Sequence, residues 1–154
     1  MSLGHKLVDE LKRGASGPVE VSDGEVRATA DVGGSGPYGA ELRGLSVERT
    51  SAAEGDAGEQ MERVVGEIAE RVQYLPERIV PLETDAASGR GVLRTRRDQV
   101  EDKEYYEFSV EGGDRVDVGR FRGSSGGGRE RVTDNFGHRV IERLVDDLAD
   151  VVGD

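Results

Sequence analysis

The chain has 154 residues, 32 of them acidic against 21 Lys and Arg, for a formal net charge of -11, with 23 Gly, no Cys and no Trp. The lack of cysteine excludes a disulfide scaffold, a thiol nucleophile, a zinc ribbon and an iron–sulfur site, and the acidity argues against nucleic acid or an anionic membrane as a partner held by overall charge. No apolar run approaches the roughly 20 residues of a membrane-spanning helix, Met1 to Leu7 lacks the apolar core of a signal peptide, and the length suits one domain over 1–154, so the expectation is a cytoplasmic single-domain protein.

In chain order, Leu3, Leu7, Val8 and Leu11 fall at helical spacing between Ser2 and Gly14, which predicts a short amphipathic helix over 2–13. Val19 to Val21 and Val26 to Val32 alternate with period two on either side of Asp23-Gly24, a hairpin signal. A third strand carries Tyr38, Ala40 and Leu42, then Leu45 and Val47, and the phase slip at Gly44 predicts a bulge. A small, acidic loop from Thr50 to Gly58 leads into the clearest helix, where Met61, Val64, Val65, Ile68, Ala69 and Val72 form one stripe. Ile79 to Leu82 reads as a strand placed at an edge by Pro81, and Gly91 to Arg97 as a weaker strand. Tyr106, Phe108 and Val110 alternate with Glu107, Ser109 and Glu111, and Gly112-Gly113 turns the chain into Val116 and Val118. The glycine-rich stretch at 123–131 predicts a flexible loop. Phe136, Val140, Ile141, Leu144, Val145 and Leu148 then make a last helical stripe, with Thr133 or Asp134 as cap. Hairpins separated by helices imply an α+β fold, a mainly antiparallel sheet of about 5–7 strands with helices packed on one face, in the order α-β-β-β-α-β-β-β-β-α.

Two literal motif matches carry no chemistry. Gly34-Ser35-Gly36-Pro37-Tyr38-Gly39 fits a phosphate-cradling pattern, but the residues after it alternate like a strand, so it reads as a glycine-rich turn between strands. Gly123-Ser124-Ser125-Gly126-Gly127 fits a nucleophile elbow, which needs a sharp strand-to-helix turn, a distant acid and a histidine; here the helix starts late and the only downstream histidine is His138. His5 and His138 are far apart in the chain, so they form a metal pair only if the terminal helices meet, and no other ligand spacing suggests a metal or cofactor. Glu67 with Glu70, and Asp146 with Asp147, lie on predicted solvent faces without the burial that acid catalysis needs.

The bases are skewed: Lys occurs only at 6, 12 and 103, and every other basic residue is Arg. GC-rich codons supply such a composition, and so does life in molar salt, where a Debye length of about 3 Å screens the repulsion among surface carboxylates. Over the whole chain the composition resembles small acidic proteins of salt-loving archaea, a resemblance that implies salt adaptation and carries no motif. The element order also resembles small dimeric secretion chaperones, in topology only.

One basic region interrupts the acidity: Arg90, Arg94, Arg96 and Arg97, then Arg115, Arg120 and Arg122. If these strands are neighbours, Arg94, Arg96, Arg115 and Arg122 share the exposed sheet face with Tyr105, an arrangement suited to an anion or an acidic segment. The plainer reading is cross-strand pairing with Glu104, Glu107, Glu111 and Asp117. The sequence thus points to a non-catalytic binding or assembly module acting on a protein partner or on a second copy of itself. Its alternative is a small-molecule or anion-binding protein, even an enzyme, using Arg94, Arg96, Tyr105 and Arg115 as ligand-binding residues.

Overall fold

Ser2 starts helix α1 (Leu3–Lys12) by accepting a hydrogen bond from the His5 amide, and the helix buries Leu3, Leu7, Val8 and Leu11. In the computed structural model, which describes residues 1–153, three antiparallel strands follow: β1 (Gly17–Asp23), β2 (Val26–Ser35) and β3 (Gly39–Arg49). The β1–β2 turn uses Gly24 at φ 59, a left-handed conformation that glycine adopts without penalty. Asp56 caps α2 (Ala57–Arg71) through the Glu59 amide. The chain then forms β4 (Ile79–Asp85), β5 (Arg90–Thr95), β6 (Glu104–Glu111), β7 (Arg115–Gly123), β8 (Arg129–Val132), β9 (Asp134–Gly137) and α3 (His138–Gly153).

The fold is α+β. The main sheet is antiparallel, in the order β1-β2-β3-β7-β6-β5-β4, with β8 on β7 and β9 on β3. Side chains alternate between its two faces. Ala28, Ala30, Leu45, Val47, Val116, Val118, Phe108, Val110 and Leu93 point to one side and are buried with the apolar stripes of the helices. Helices α1 and α3 lie over the β1–β3 half and α2 over β4–β6. Among the described residues, the opposite face carries no helix. No helix among the described residues is long and apolar enough to cross a membrane.

The sheet forks at its centre. Strands β3 and β7 pair only from Leu45 to Glu48 against Arg115 to Val118. Beyond Gly44 and Gly119 they part, β9 pairing with β3 over Gly39–Leu42 and β8 with β7 over Arg120–Gly123. The phase slip near Gly44 is a bulge: Asp31 faces Gly44 and Val32 faces Leu42, leaving Arg43 unpaired. The sheet therefore holds nine strands, two more than the upper expectation. Both extra strands come from the stretch expected as a loop and a helix cap. Only 124–128 forms the turn, closed by the Ser124 amide on the Gly128 carbonyl at 2.8 Å. The polar run Arg129-Glu130-Arg131 has no apolar alternation to reveal it as a strand, because it lies across aromatic side chains of the uncovered face.

Both outer strands carry features that blunt an edge. β1 contains Pro18, and β4 contains Pro81 next to a register shift that leaves Leu82 without a partner.

Candidate functional site

The uncovered face is a charged lattice. Asp85, Arg90, Glu111, Arg115, Glu48 and Arg27 lie side by side on successive strands, alternating in sign. Within it the Arg115 guanidinium donates from Nε to Asp117 at 2.9 Å and lies 3.6 Å from Glu48. This is the cross-strand neutralisation that the sequence offered as the plainer reading.

Farther along the same strands lies a different cluster. Tyr105 on β6 faces Phe121 on β7, their ring centroids 6.1 Å apart, and the Arg94 guanidinium sits 5.1 Å from the Tyr105 centroid. Strand β8 adds Arg129 and Arg131, whose guanidinium carbons lie 4.0 and 4.8 Å from the Phe121 ring. In the middle, Glu107 is only 5% exposed and accepts from Arg94 Nε at 2.7 Å and from Arg129 Nη1 at 2.8 Å. Burial pushes the Glu107 carboxyl up, but hydrogen bonds from Arg129 and Arg94 outweigh it and hold the group below the usual carboxylate range. The fork makes room for Arg131: a Cβ on Gly119 would stand 2.5 Å from its Nη1, and one on Gly44 2.7 Å. The glycines bare a strip of backbone on which the guanidinium rests, donating to the Arg43 carbonyl at 3.2 Å.

Of the four residues expected to form a site, the structure joins Arg94 and Tyr105. Arg96 lies beyond the end of β5, the Nε–Nη2 edge of its guanidinium held bidentate by Asp98 at 2.6 and 2.7 Å. Arg115 is six residues along β7 from Phe121, about 20 Å at about 3.4 Å per residue. Arg122 faces Glu104 on the helix-bearing side, so it does not share the face of Arg94. Sequence reading missed Glu107 as the centre of the cluster and overlooked Phe121, Arg129 and Arg131. The aromatic alternation of 105–108 and 121 held the available signal; the arginines lay in a segment expected to be mobile.

The chain matches no protein-family model, and no match is found among curated proteins or among solved structures. The chemistry of the cluster therefore rests on its own geometry. Arg94 uses only Nε for Glu107, Arg129 engages only Nη1, and Arg131 engages only Nη1 with a backbone carbonyl and takes part in no ion pair among the described residues. A guanidinium has five N–H donors, so these three keep free donors facing solvent and none is held bidentate by a carboxylate, whereas Arg96 and Arg115 are each clamped through Nε and Nη2 by one acid, Asp98 and Asp117. Two arginines on the Glu107 carboxylate and a third, Arg131, on the neighbouring Phe121 ring sum to a local charge of two positive units on a strongly acidic protein.

The opposite side of β6 and β7 carries a closed polar network. Arg120 donates from Nη1 and Nη2 to Glu77 at 3.2 and 3.0 Å and from Nε to Glu104 at 3.2 Å. It also covers the Tyr106 ring at 4.4 Å, and the Tyr106 hydroxyl donates to Asp134. Burial first, then Asp134, raises the Tyr106 hydroxyl pKa. Each of the three guanidinium nitrogens of Arg120 is engaged, so this side is structural. The histidines do not meet, although α1 and α3 do. His5 lies beside Asp9 and Glu142, while His138 Nε2 is 2.6 Å from the Gly36 carbonyl. Among the described residues no group of three His, Asp or Glu is placed to hold a metal.

Acid titration tests the pairing. Hydrogen bonds from Arg122 lead those holding the Glu104 carboxyl down, and Glu107 is also depressed. A depressed folded-state pKa stabilises the fold above the unfolded carboxylate value of 4.5 and loses that contribution as pH falls through the folded value. The melting temperature of the Glu107→Gln variant is therefore expected to fall less steeply than that of the parent below pH about 4.5. Parallel curves would place Glu107 outside the arginine pair.

Proposed function

We propose that this protein is a cytoplasmic, non-catalytic binding module that recognises an acidic segment of a protein partner through Arg94, Arg129 and Arg131 on the uncovered sheet face. The observation that carries the reading is that each of these three arginines engages a single nitrogen and leaves the rest of its fork to solvent, in contrast with Arg96 and Arg115, whose Nε–Nη2 edges are each clamped by one carboxylate. Tyr105 and Phe121 hold the guanidinium planes in place, so that a carboxylate meets donors already oriented.

A fluorescein-labelled hexaglutamate peptide, followed by anisotropy at low salt, tests this. Binding is expected to weaken at least about tenfold in the triple variant Arg94→Ala, Arg129→Ala, Arg131→Ala. It should change little in Arg96→Ala with Arg115→Ala. Equal binding by both variants would overturn the site, and a melting temperature that rises with inorganic phosphate but not with the peptide would favour the small-anion alternative. A parent protein that binds no peptide but elutes as an Arg94-dependent dimer would assign the face to self-association.

We also propose that the acidity is an adaptation to molar salt. In support, Glu54, Asp56, Glu59 and Glu62 lie exposed along the start of α2 outside any ion pair among the described residues, so salt relieves their repulsion without breaking a contact. The melting temperature is expected to rise between 0.1 and about 2 M KCl, where the Debye length shrinks from about 10 Å to below about 3 Å. An unchanged or lower value would return the composition to codon bias.

A further inference from the structure

A second recess lies away from the arginine cluster, where the β2–β3 turn meets β9. It is a shallow groove of about 480 Å³ lined by Gly34, Ser35, Tyr38, Glu41, Asn135 and Phe136 among others. Three features set it apart. Tyr38 is 89% exposed, yet it sits on a loop pinned at several points: the Gly36 amide donates to the Gly39 carbonyl, the His138 amide to the Tyr38 carbonyl, and His138 Nε2 meets the Gly36 carbonyl. The ring is thus presented to solvent from a fixed backbone. Glu41, on the wall of the same groove, takes part in no ion pair among the described residues, and its carboxylate lies next to the backbone of Gly33. Finally, Gly34 has no conformational need to be glycine: its φ is not positive, and an added Cβ would meet nothing within 4 Å. Glycine inside a strand weakens it relative to alanine, and it often marks a place where another group approaches the backbone closely.

We propose that this groove binds an organic cation, an alkylammonium or guanidinium group. The negative face of the Tyr38 ring and the Glu41 carboxylate attract the charge together, as in cation–π recognition beside an acid. The bare backbone at Gly34 lets the ligand's stem lie against β2, and the net charge of -11 steers cations toward the protein. Among the described residues, no arginine or lysine lines the groove to oppose it. The site is independent of the arginine cluster and stands whether or not that cluster binds acid.

The chemistry is shared by a free polyamine and by a basic side chain of a peptide, so the test has two arms. Backbone amide shifts of the full chain are followed by NMR at low ionic strength during titration with spermidine and, separately, with the tripeptide Ala-Arg-Ala, with maltotriose as a neutral control. Saturable shifts are expected at Gly34, Tyr38, Asn135 and Gly137 in at least one cationic arm, and the arm that saturates names the source. Tyr38→Ala and Gly34→Val should each weaken binding at least tenfold. Gly34→Val should melt no lower than the parent, because its side chain enters open space and suits a strand. The proposal is overturned if neither cation shifts these amides, if maltotriose shifts them equally, or if Gly34→Val binds like the parent.

Discussion

Arg120→Ala is expected to lower stability by on the order of 3 kcal/mol, the lower end of the cost of breaking a buried ion pair. The side chain is 13% exposed and is the counter-ion of Glu77, itself 14% exposed. Glu77 also accepts from the Thr95 hydroxyl at 2.8 Å, and that hydroxyl receives the Tyr106 amide at 2.7 Å. Truncating the arginine leaves Glu77 charged and largely dry, uncovers the Tyr106 ring and frees Glu104 to follow Arg122. For a chain of this size the melting temperature should fall by about 6–12 °C. The double variant Arg120→Met with Glu77→Gln should recover most of the loss, because replacing both charges removes the uncompensated one. Arg96→Ala, which removes an exposed pair, should change stability by less than about 1 kcal/mol. A fall in Arg120→Ala no greater than that of Arg96→Ala would show that the network is solvated and adds nothing to the fold.

Phe121→Ala is expected to cost about 3 kcal/mol, near the low end for a buried phenylalanine, because part of its contact is with guanidinium groups and not with an apolar core. The ring is 8% exposed although it lies on the uncovered face, shielded by Arg129, Arg131 and Tyr105. Its loss removes the platform of two of the three arginines of the proposed acidic-segment site, so hexaglutamate affinity should fall well below that of the parent. Phe121→Leu separates the two roles. It should regain most of the stability while holding the arginines less well, since leucine refills volume but offers no ring face. Full peptide affinity in Phe121→Leu would mean that the aromatic platform plays no part in recognition.

The apolar periodicity made the helices and most strands legible. The stripe of Met61, Val64, Val65 and Ile68 is the buried face of α2, the Asp23-Gly24 hairpin and the Gly112-Gly113 hairpin both form, and Pro81 does lie in an outer strand. Strand β8 was not legible, because Arg129 and Arg131 cover the Phe121 ring instead of entering the core, and such residues carry no period-two apolar signal. Strand β9 is four residues long with Phe136 as its one large apolar side chain, too little to show a period before the helix begins. The candidate site was half legible for a related reason. Arg94 and Tyr105 lie on strands whose neighbours supply apolar alternation, while the placement of Arg96, Arg115 and Arg122 depended on where β5 ends and which face each residue takes. One residue of register decides whether an arginine meets solvent or the helices.

The two proline-bearing outer strands have a consequence for assembly. A copy of the chain that tried to extend the sheet would find a missing amide at Pro18 on one side, and on the other Pro81 with a displaced Leu82. Continuous growth by strand addition, the route to filaments, is thereby discouraged at both ends. Association through the helix-free surface has a different geometry: once two such surfaces cover each other, neither remains to recruit a third, and the assembly closes at a pair.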